Sequence, residues 1–168
     1  MKSDAVYIGV DVSKAKLDVY IPPKKEGLRA EIKELENNLT GLRKLRSIAR
    51  SVKGTICVEP TGGYELELIA FMHKFDVPVA YADALRVRQF AKAEGNLSKN
   101  DAIDAALISR FAAKVGVRII DKKDIDIVEL KRKTKFRQTL IESRTALISR
   151  LDTEFDDEIK KIDRKSTR

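Results

Sequence analysis

The stretch Ala5-Val-Tyr-Ile-Gly-Val-Asp-Val12 decides the fold of this chain, because it has the composition of a buried strand that carries a carboxylate at its far end. A second strand is predicted at Lys16-Leu-Asp-Val-Tyr-Ile21, where polarity alternates until Pro22-Pro23 stops the pattern. Only a few residues around Ser13 separate the two segments. We therefore expect the two strands to pair through a short turn.

Beyond these strands the chain alternates between helical and strand patterns, which predicts an α/β fold with a mixed sheet flanked by helices. The segment from Gly27 to Leu35 is predicted to be a third, more exposed strand, although a helix also fits it. The further predicted elements are a helix capped by Asn38 or Thr40 with Leu42, Leu45, Ile48 and Ala49 inward, a strand over 54–59, a helix over 64–75, a strand over 77–81, a basic helix over 85–93, a helix beginning near Asp101, and a closing strand over 117–120.

The C-terminal part of the chain is predicted to form one long helix, because no glycine or proline follows Asp124. We expect this helix to run to about Lys161. A seven-residue repeat in it is mostly apolar, but its companion row is only partly apolar, so the pattern is that of an imperfect coiled coil that packs against a partner. The repeat consists of Ile127, Thr134, Ile141, Ile148, Phe155 and Ile162.

Composition and charge limit the class of protein. The 168 residues carry a net charge of +8, and no apolar run approaches the roughly 18 residues that a membrane span needs. No signal-peptide pattern precedes the first strand, and the single cysteine, Cys57, excludes an internal disulfide; these features predict a cytoplasmic protein. Two strongly basic stretches, Gly41–Lys53 and Lys131–Arg150, favour a polyanionic partner.

Four carboxylates lie at the ends of predicted strands or on one face of a predicted helix. Asp11 ends the first strand and Glu59 ends the strand over 54–59, while Asp101 and Asp104 share one face of a predicted helix in Ser98-Lys-Asn-Asp-Ala-Ile-Asp-Ala105. Gathered at one sheet edge, such acids would raise one another's pKa unless a cation neutralised them, and Mg²⁺ prefers oxygen ligands of this kind. The alternative is purely structural: Asp11 in a turn, Glu59 at a strand end, and Asp101 in a capping box with Ser98.

Three motifs in one order carry a family resemblance. They are Tyr7-Ile-Gly-Val-Asp-Val-Ser-Lys-Ala-Lys-Leu-Asp18, Val58-Glu-Pro-Thr-Gly-Gly-Tyr64 and Ser98-Lys-Asn-Asp-Ala-Ile-Asp-Ala105. Together they resemble the N-terminal domain of the DEDD insertion-sequence transposases, the family that includes the Piv and MooV DNA invertases. The resemblance covers about residues 5–115. It implies a RuvC-like, ribonuclease-H-like domain over residues 1–120 and a long coiled-coil helix over residues 121–168.

The resemblance also implies an activity. Asp11, Glu59, Asp101 and Asp104 would form a catalytic DEDD site for Mg²⁺, or for Mn²⁺, in DNA cleavage and strand transfer during transposition. Some members of the family are guided by a structured RNA, and self-association through the C-terminal helix is expected. The family's second domain, which supplies a nucleophilic serine, has no counterpart in these 168 residues.

Several polar residues are predicted to contact nucleic acid. For each of them a solvated side chain, or a plain β-turn at Ser13 and Lys14, is the alternative reading. The predicted contacts are Ser13 and Lys14 after the first aspartate, Arg86, Arg88 and Lys92 on the basic helix, Lys99 beside the paired aspartates, and Lys131, Arg132 and Lys133 on the long helix.

Two other functions remain open at this stage. A nuclease of the Holliday-junction resolvase type would share both the fold and the four acids. A non-catalytic module that binds nucleic acid and dimerises would use the acids structurally. An actin-like or sugar-kinase domain is disfavoured, because the chain is too short for two lobes and shows no second phosphate loop.

Overall fold

The computed structural model describes residues 5–23, 27–60, 62–95 and 101–153, apart from a few side chains within the last two helices. The elements follow one another as β1 (Tyr7–Val12), β2 (Lys16–Ile21), β3 (Glu31–Glu36), α1 (Leu39–Val52), β4 (Thr55–Val58), α2 (Leu66–Lys74), β5 (Val79–Tyr81), α3 (Ala84–Ala93), α4 (Asp101–Val115), β6 (Arg118–Ile119) and α5 (Lys122–Thr153).

The strands form one six-stranded mixed sheet in the order β3-β2-β1-β4-β5-β6. The first three strands are antiparallel neighbours, β1, β4 and β5 are parallel, and β6 closes the edge antiparallel to β5. The mixed sheet flanked by helices confirms the predicted fold class.

The turn between β1 and β2 forms at Ser13, as predicted. The Ser13 hydroxyl donates a hydrogen bond to the Lys16 carbonyl oxygen at 3.0 Å and accepts one from the Lys16 N–H at 3.2 Å. The Asn37 side-chain amide donates to the Ser13 carbonyl oxygen at 2.8 Å. These bonds hold the end of β1, and therefore the backbone next to Asp11, against the start of α1.

Two elements begin later in the chain than predicted. The third segment is a strand and not a helix, but it begins only at Glu31. Helix α2 begins at Leu66, because Gly62 and Gly63 adopt positive φ angles of 75° and 110° and residues 62–65 form turns.

Each face of the sheet carries its own layer of helices. On one face, Ile8, Val10 and Val12 of β1 belong to a core that also holds apolar residues of α1 and α2. On the other face, Cys57 and Ala80 pack with residues of α3 and α4, including Phe111. The predicted inward residues Leu42, Leu45 and Ala49 of α1 are buried, whereas Ile48 is partly buried.

The chain divides into two compact units, Met1–Asp126 and Ile127–Arg168. Helix α5 contributes its first residues to the first unit and continues through the second as far as Thr153. The predicted extension of this helix to Lys161, with Phe155, lies outside the described residues. Among the helices that the structure describes, none is both long and apolar enough to cross a membrane.

Candidate active site

Asp11 and Glu59 occupy equivalent positions at the ends of two neighbouring parallel strands. Val10 of β1 pairs with Val58 of β4, so Asp11 and Glu59 both come one residue later. Val10 and Val58 belong to the core on the α1 and α2 face of the sheet. Since side chains alternate along a strand, both carboxylates project toward the opposite face, where α3 and α4 lie.

Helix α4 reaches this face through close contact with β1 at Gly9. A Cβ atom at Gly9 would lie 1.9 Å from the Ala105 carbonyl oxygen and 2.8 Å from the Ser109 amide nitrogen, so only glycine permits this approach. The Ser109 hydroxyl then donates a hydrogen bond to the Tyr7 carbonyl oxygen at 2.6 Å. These contacts set Asp104, one residue before Ala105, on the same side of the sheet as Asp11.

The pKa of Glu59 reflects the burial and the charged neighbours of this carboxylate. Partial burial raises the pKa of Glu59 above its ordinary value. The negative charges of Asp11, Asp104 and Asp83 raise the pKa further, whereas the Arg88 guanidinium lowers it. Three of the four predicted acids therefore belong to one electrostatic neighbourhood.

The fourth predicted acid, Asp101, is the first residue of α4, but its side chain lies outside the described part of the structure. Among the side chains that are described, no group of three or more histidine, cysteine, aspartate or glutamate residues is close enough to hold a metal ion. The role of the four acids as a metal site thus remains a prediction.

Two further acids, which the sequence patterns did not single out, lie near the site. Asp83 follows β5 and caps α3, where its carboxylate accepts a hydrogen bond from the Arg86 N–H at 2.9 Å. Asp18 pairs with Asp11 across β1 and β2 and is 7% exposed. Both acids could have been found from sequence patterns. Asp83 stands where a helix cap is expected after a strand, and Asp18 interrupts the apolar residues of a strand.

The turn after Glu59 is held by a buried carboxylate. Glu65 is 3% exposed and accepts a hydrogen bond from the Gly63 N–H at 2.9 Å. This bond closes the turn between β4 and α2 from within.

The predicted nucleic-acid contacts lie in different parts of the fold. Arg86, Arg88 and Lys92 are exposed on α3, in the same helix layer as Asp104, and Arg88 is close enough to affect Glu59. Lys14 is exposed at the β1–β2 turn, and Ser13 closes that turn. On α5, the Lys133 ammonium pairs with the Glu129 carboxylate at 2.8 Å. Outside the description lie Lys99 and the side chains of Lys131 and Arg132.

Comparison with known sequences identifies a family. The sequence profile of the DEDD transposases of the IS110 type, described as a transposase, matches residues 8–157 of this chain. Among curated proteins, none matches the sequence.

Two solved structures are similar in fold. RuvC of Thermus thermophilus in complex with a Holliday junction substrate superposes with a TM-score of 0.50 at 12% sequence identity, over 69% of this chain and 99% of that chain. A second structure of Thermus thermophilus RuvC gives a TM-score of 0.47 at 15% identity, over 68% of this chain and 99% of that chain. The first of these shows that the sheet and its helices have the RuvC-like, ribonuclease-H-like arrangement.

Proposed function

Because this chain belongs to the DEDD transposase family of the IS110 type, we propose that it is the metal-dependent catalytic domain that cuts and joins DNA phosphodiesters during transposition. The observation that carries the proposal is the placement of Asp11, Glu59 and Asp104 on one side of the sheet. They come from two parallel strands and one helix that are distant in sequence. The electrostatic effect of Asp11 and Asp104 on Glu59 supports it.

The chemistry of these residues fits a divalent cation. Carboxylate oxygens are hard ligands of the kind that Mg²⁺ and Mn²⁺ take, and Asp101 would complete the set from the same helix as Asp104. Burial, and after it the neighbouring negative charges, raise the pKa of Glu59, and a bound cation would offset this cost of keeping the carboxylate ionised. When bound, the cation supplies activation of the attacking oxygen and stabilisation of the leaving oxygen in phosphoryl transfer.

The chain's own residues have distinct parts in this proposal. Asp11 lies in β1 and Glu59 directly follows β4, so the sheet fixes the backbone positions of both residues. Asp104 is held by the packing of α4 on Gly9. Arg88 balances part of the negative charge at Glu59 and is exposed enough to meet a DNA phosphate beside the acids.

We further propose that α3 forms the DNA surface next to the acids. Its three basic residues, Arg86, Arg88 and Lys92, are exposed. The Arg86 guanidinium lies 5.7 Å from the centre of the Phe111 ring, which restrains it at the surface. Lys14 at the β1–β2 turn extends this surface, and a guide RNA would compete for the same phosphate contacts.

Self-association through α5 is part of the proposal. Large apolar side chains of this helix are exposed in the single chain, including Ile127, Ile141 and Ile148 of the seven-residue repeat. A second copy would cover them as a coiled coil. Shortening the chain at Ile120 should then abolish dimers in light scattering, whereas a monomeric full chain at high concentration would contradict this part.

A Holliday-junction resolvase activity is the second candidate. The fold likeness to RuvC, which was solved with a Holliday junction substrate, favours it. Both candidates cut phosphodiesters at the same acids, so they differ in substrate. Preference for a four-way junction over a duplex would favour the resolvase, and preference for the ends of the mobile element would favour the transposase.

The test is a metal titration of the 168-residue chain followed by thermal unfolding. We expect Mg²⁺ or Mn²⁺ to raise the melting temperature, by about 2.7 kcal/mol of stability at a hundredfold excess over Kd. Asp11→Asn and Asp104→Asn should each abolish the rise. Asp76→Asn is the matched control, since this exposed aspartate precedes β5 and asparagine tolerates its φ of 55°.

The results of this titration distinguish a catalytic site from a non-catalytic module that binds nucleic acid. Stabilisation that Asp76→Asn retains and Asp11→Asn loses supports the catalytic site. Salt-sensitive binding of DNA without any effect of metal would instead assign the chain to the non-catalytic binding module.

A further inference from the structure

Helix α1 carries a row of cations that the proposed catalytic site does not use. Arg43, Arg46 and Arg50 follow one another at spacings of three and four residues, so they lie along one side of the helix, and Lys53 is the residue that ends it. Lys44 flanks the row. We name Arg43, Lys44, Arg46, Arg50 and Lys53 the α1 basic row.

Acidic residues are scarce around this row. From Asn38 to Lys53 the sequence contains no aspartate or glutamate. Two acids near the row are Glu36, whose carboxylate accepts a hydrogen bond from the Asn38 side chain at 2.6 Å, and Asp76, which lines one cavity with Arg50 and Lys53. Both stand at the ends of the row, and its centre keeps a net positive charge.

Two of the cations are held in place by α2. The Arg46 guanidinium lies 4.3 Å from the centre of the Phe75 ring and 5.9 Å from that of Phe71. The Arg50 side chain donates a hydrogen bond to the Phe75 carbonyl oxygen at 2.8 Å. These contacts fix the two side chains at the surface, so less conformational entropy is lost when an anion binds.

The row faces away from the acids. The buried side of α1, with Leu42, Leu45 and Ala49, packs on the sheet face opposite to α3 and α4. A duplex that lies on α3 beside Glu59 is separated from α1 by the sheet. Because DNA is stiff over about 150 base pairs, one short segment cannot bend around the domain to reach both surfaces.

We propose that the α1 basic row is a second docking surface for the backbone of double-stranded DNA. From Arg43 to Arg50 the row rises about 10 Å along the helix axis, which matches roughly three phosphates of one strand at 3.4 Å of duplex axis per phosphate. Strand transfer joins two DNA segments, and a surface on the far side of the domain would hold the segment that is not being cut. This inference rests on the proposed function for its occupant.

Cross-linking tests the location directly. In the full chain, Ser47→Cys places a thiol in the exposed middle of the row, and Ala70→Cys places one on the exposed side of α2 as the matched control. Cys57 is completely buried and should not take up the label. A photoactivatable maleimide at position 47 should cross-link a 20-base-pair duplex, whereas the same label at position 70 should not.

Measurements of duplex binding test whether the cations of the α1 basic row contact phosphates. Arg43→Gln with Lys44→Gln should weaken duplex binding and reduce the slope of log K against log salt by about 2, since each lost phosphate contact contributes about 0.9. Lys122→Gln with Lys123→Gln removes the same charge just after β6, at the opposite edge of the sheet from β3, and should leave the slope unchanged. All variants should melt at the wild-type temperature, because these side chains are exposed.

Three results would overturn the inference: no cross-link from position 47, an unchanged slope after loss of Arg43 and Lys44, or cross-linking to an RNA hairpin in place of duplex DNA. Failure of the catalytic proposal would be distinguishable. In that case Asp11→Asn would leave the effect of metal unchanged, while the cross-link from position 47 would still form.

Discussion

Asp11 of β1 lies directly opposite Asp18 of β2, so two carboxylates project from the same face of the sheet as cross-strand neighbours. Like charges in this arrangement repel. The Lys16 ammonium, 3.1 Å from the Asp18 carboxylate and 3.5 Å from that of Glu34, offsets the repulsion. Asp18 is buried, whereas the Lys16 side chain is 37% exposed.

The first prediction concerns this ion pair. Lys16→Gln should lower the free energy of unfolding of the metal-free chain by about 1 kcal/mol, because the buried Asp18 loses its nearest cation beside Asp11. Adding Asp18→Asn should recover part of the loss, since the double variant no longer buries the uncompensated charge. Urea denaturation measures both, and equal stability of the single and double variants would contradict the coupling.

The second prediction concerns the pH dependence at Glu59. Its folded-state pKa is raised, so the folded protein binds the proton more tightly than the unfolded chain, and stability falls as pH rises from the ordinary pKa of 4.5 through the raised one. Glu59→Gln should therefore raise the melting temperature of the metal-free chain at neutral pH.

The gain from Glu59→Gln should disappear below pH 4.5, where the glutamate is protonated in both the folded and the unfolded states. Glu67→Gln, at an exposed position on α2, is the control for the loss of one carboxylate outside the site. A Glu59→Gln variant that is less stable than the wild type at neutral pH without metal would contradict the assignment.

The third prediction concerns the contact between β1 and α4. Gly9→Ala should destabilise the protein by about 3 kcal/mol or more, because the new methyl group would overlap the Ala105 carbonyl oxygen. Ser109→Ala removes one hydrogen bond from the same contact and should cost only about 1 kcal/mol. Urea denaturation measures both losses.

Gly9→Ala should also reduce the stabilisation by Mg²⁺, since displaced α4 carries Asp104 away from Asp11. Ser109→Ala should retain that stabilisation. Equal effects of Gly9→Ala and Ser109→Ala on the metal titration would show that the packing at Gly9 does not position Asp104.

The fourth prediction concerns the only cysteine. Burial raises the pKa of the Cys57 thiol to about 12, and the side chain is fully enclosed between β4 and the α4 layer. Cys57 should therefore react with thiol reagents at pH 8 only as fast as the native protein opens. Rapid labelling of the native chain, at the rate seen in urea, would contradict this packing.

The sequence alone was sufficient for the mixed α/β fold class and for the first two strands, whereas the role of the four acids as a metal site stays a prediction. These features are local, since alternation, helical spacing and capping residues depend on neighbours within a few positions. Asp11 and Glu59 were recognisable because each stands where an apolar strand ends. The resemblance to the transposase family also needed only the order of three motifs, and the family match confirms it.

Only the tertiary structure decided which distant residues meet. The pairing of Asp11 with Asp18 depends on strand register, the effect of Arg88 and Asp83 on Glu59 depends on how α3 packs, and the approach of α4 depends on Gly9. The separation of the α1 basic row from the acids likewise follows from the two helix layers. These relationships arise because packing of the sheet faces brings together residues that no local pattern connects.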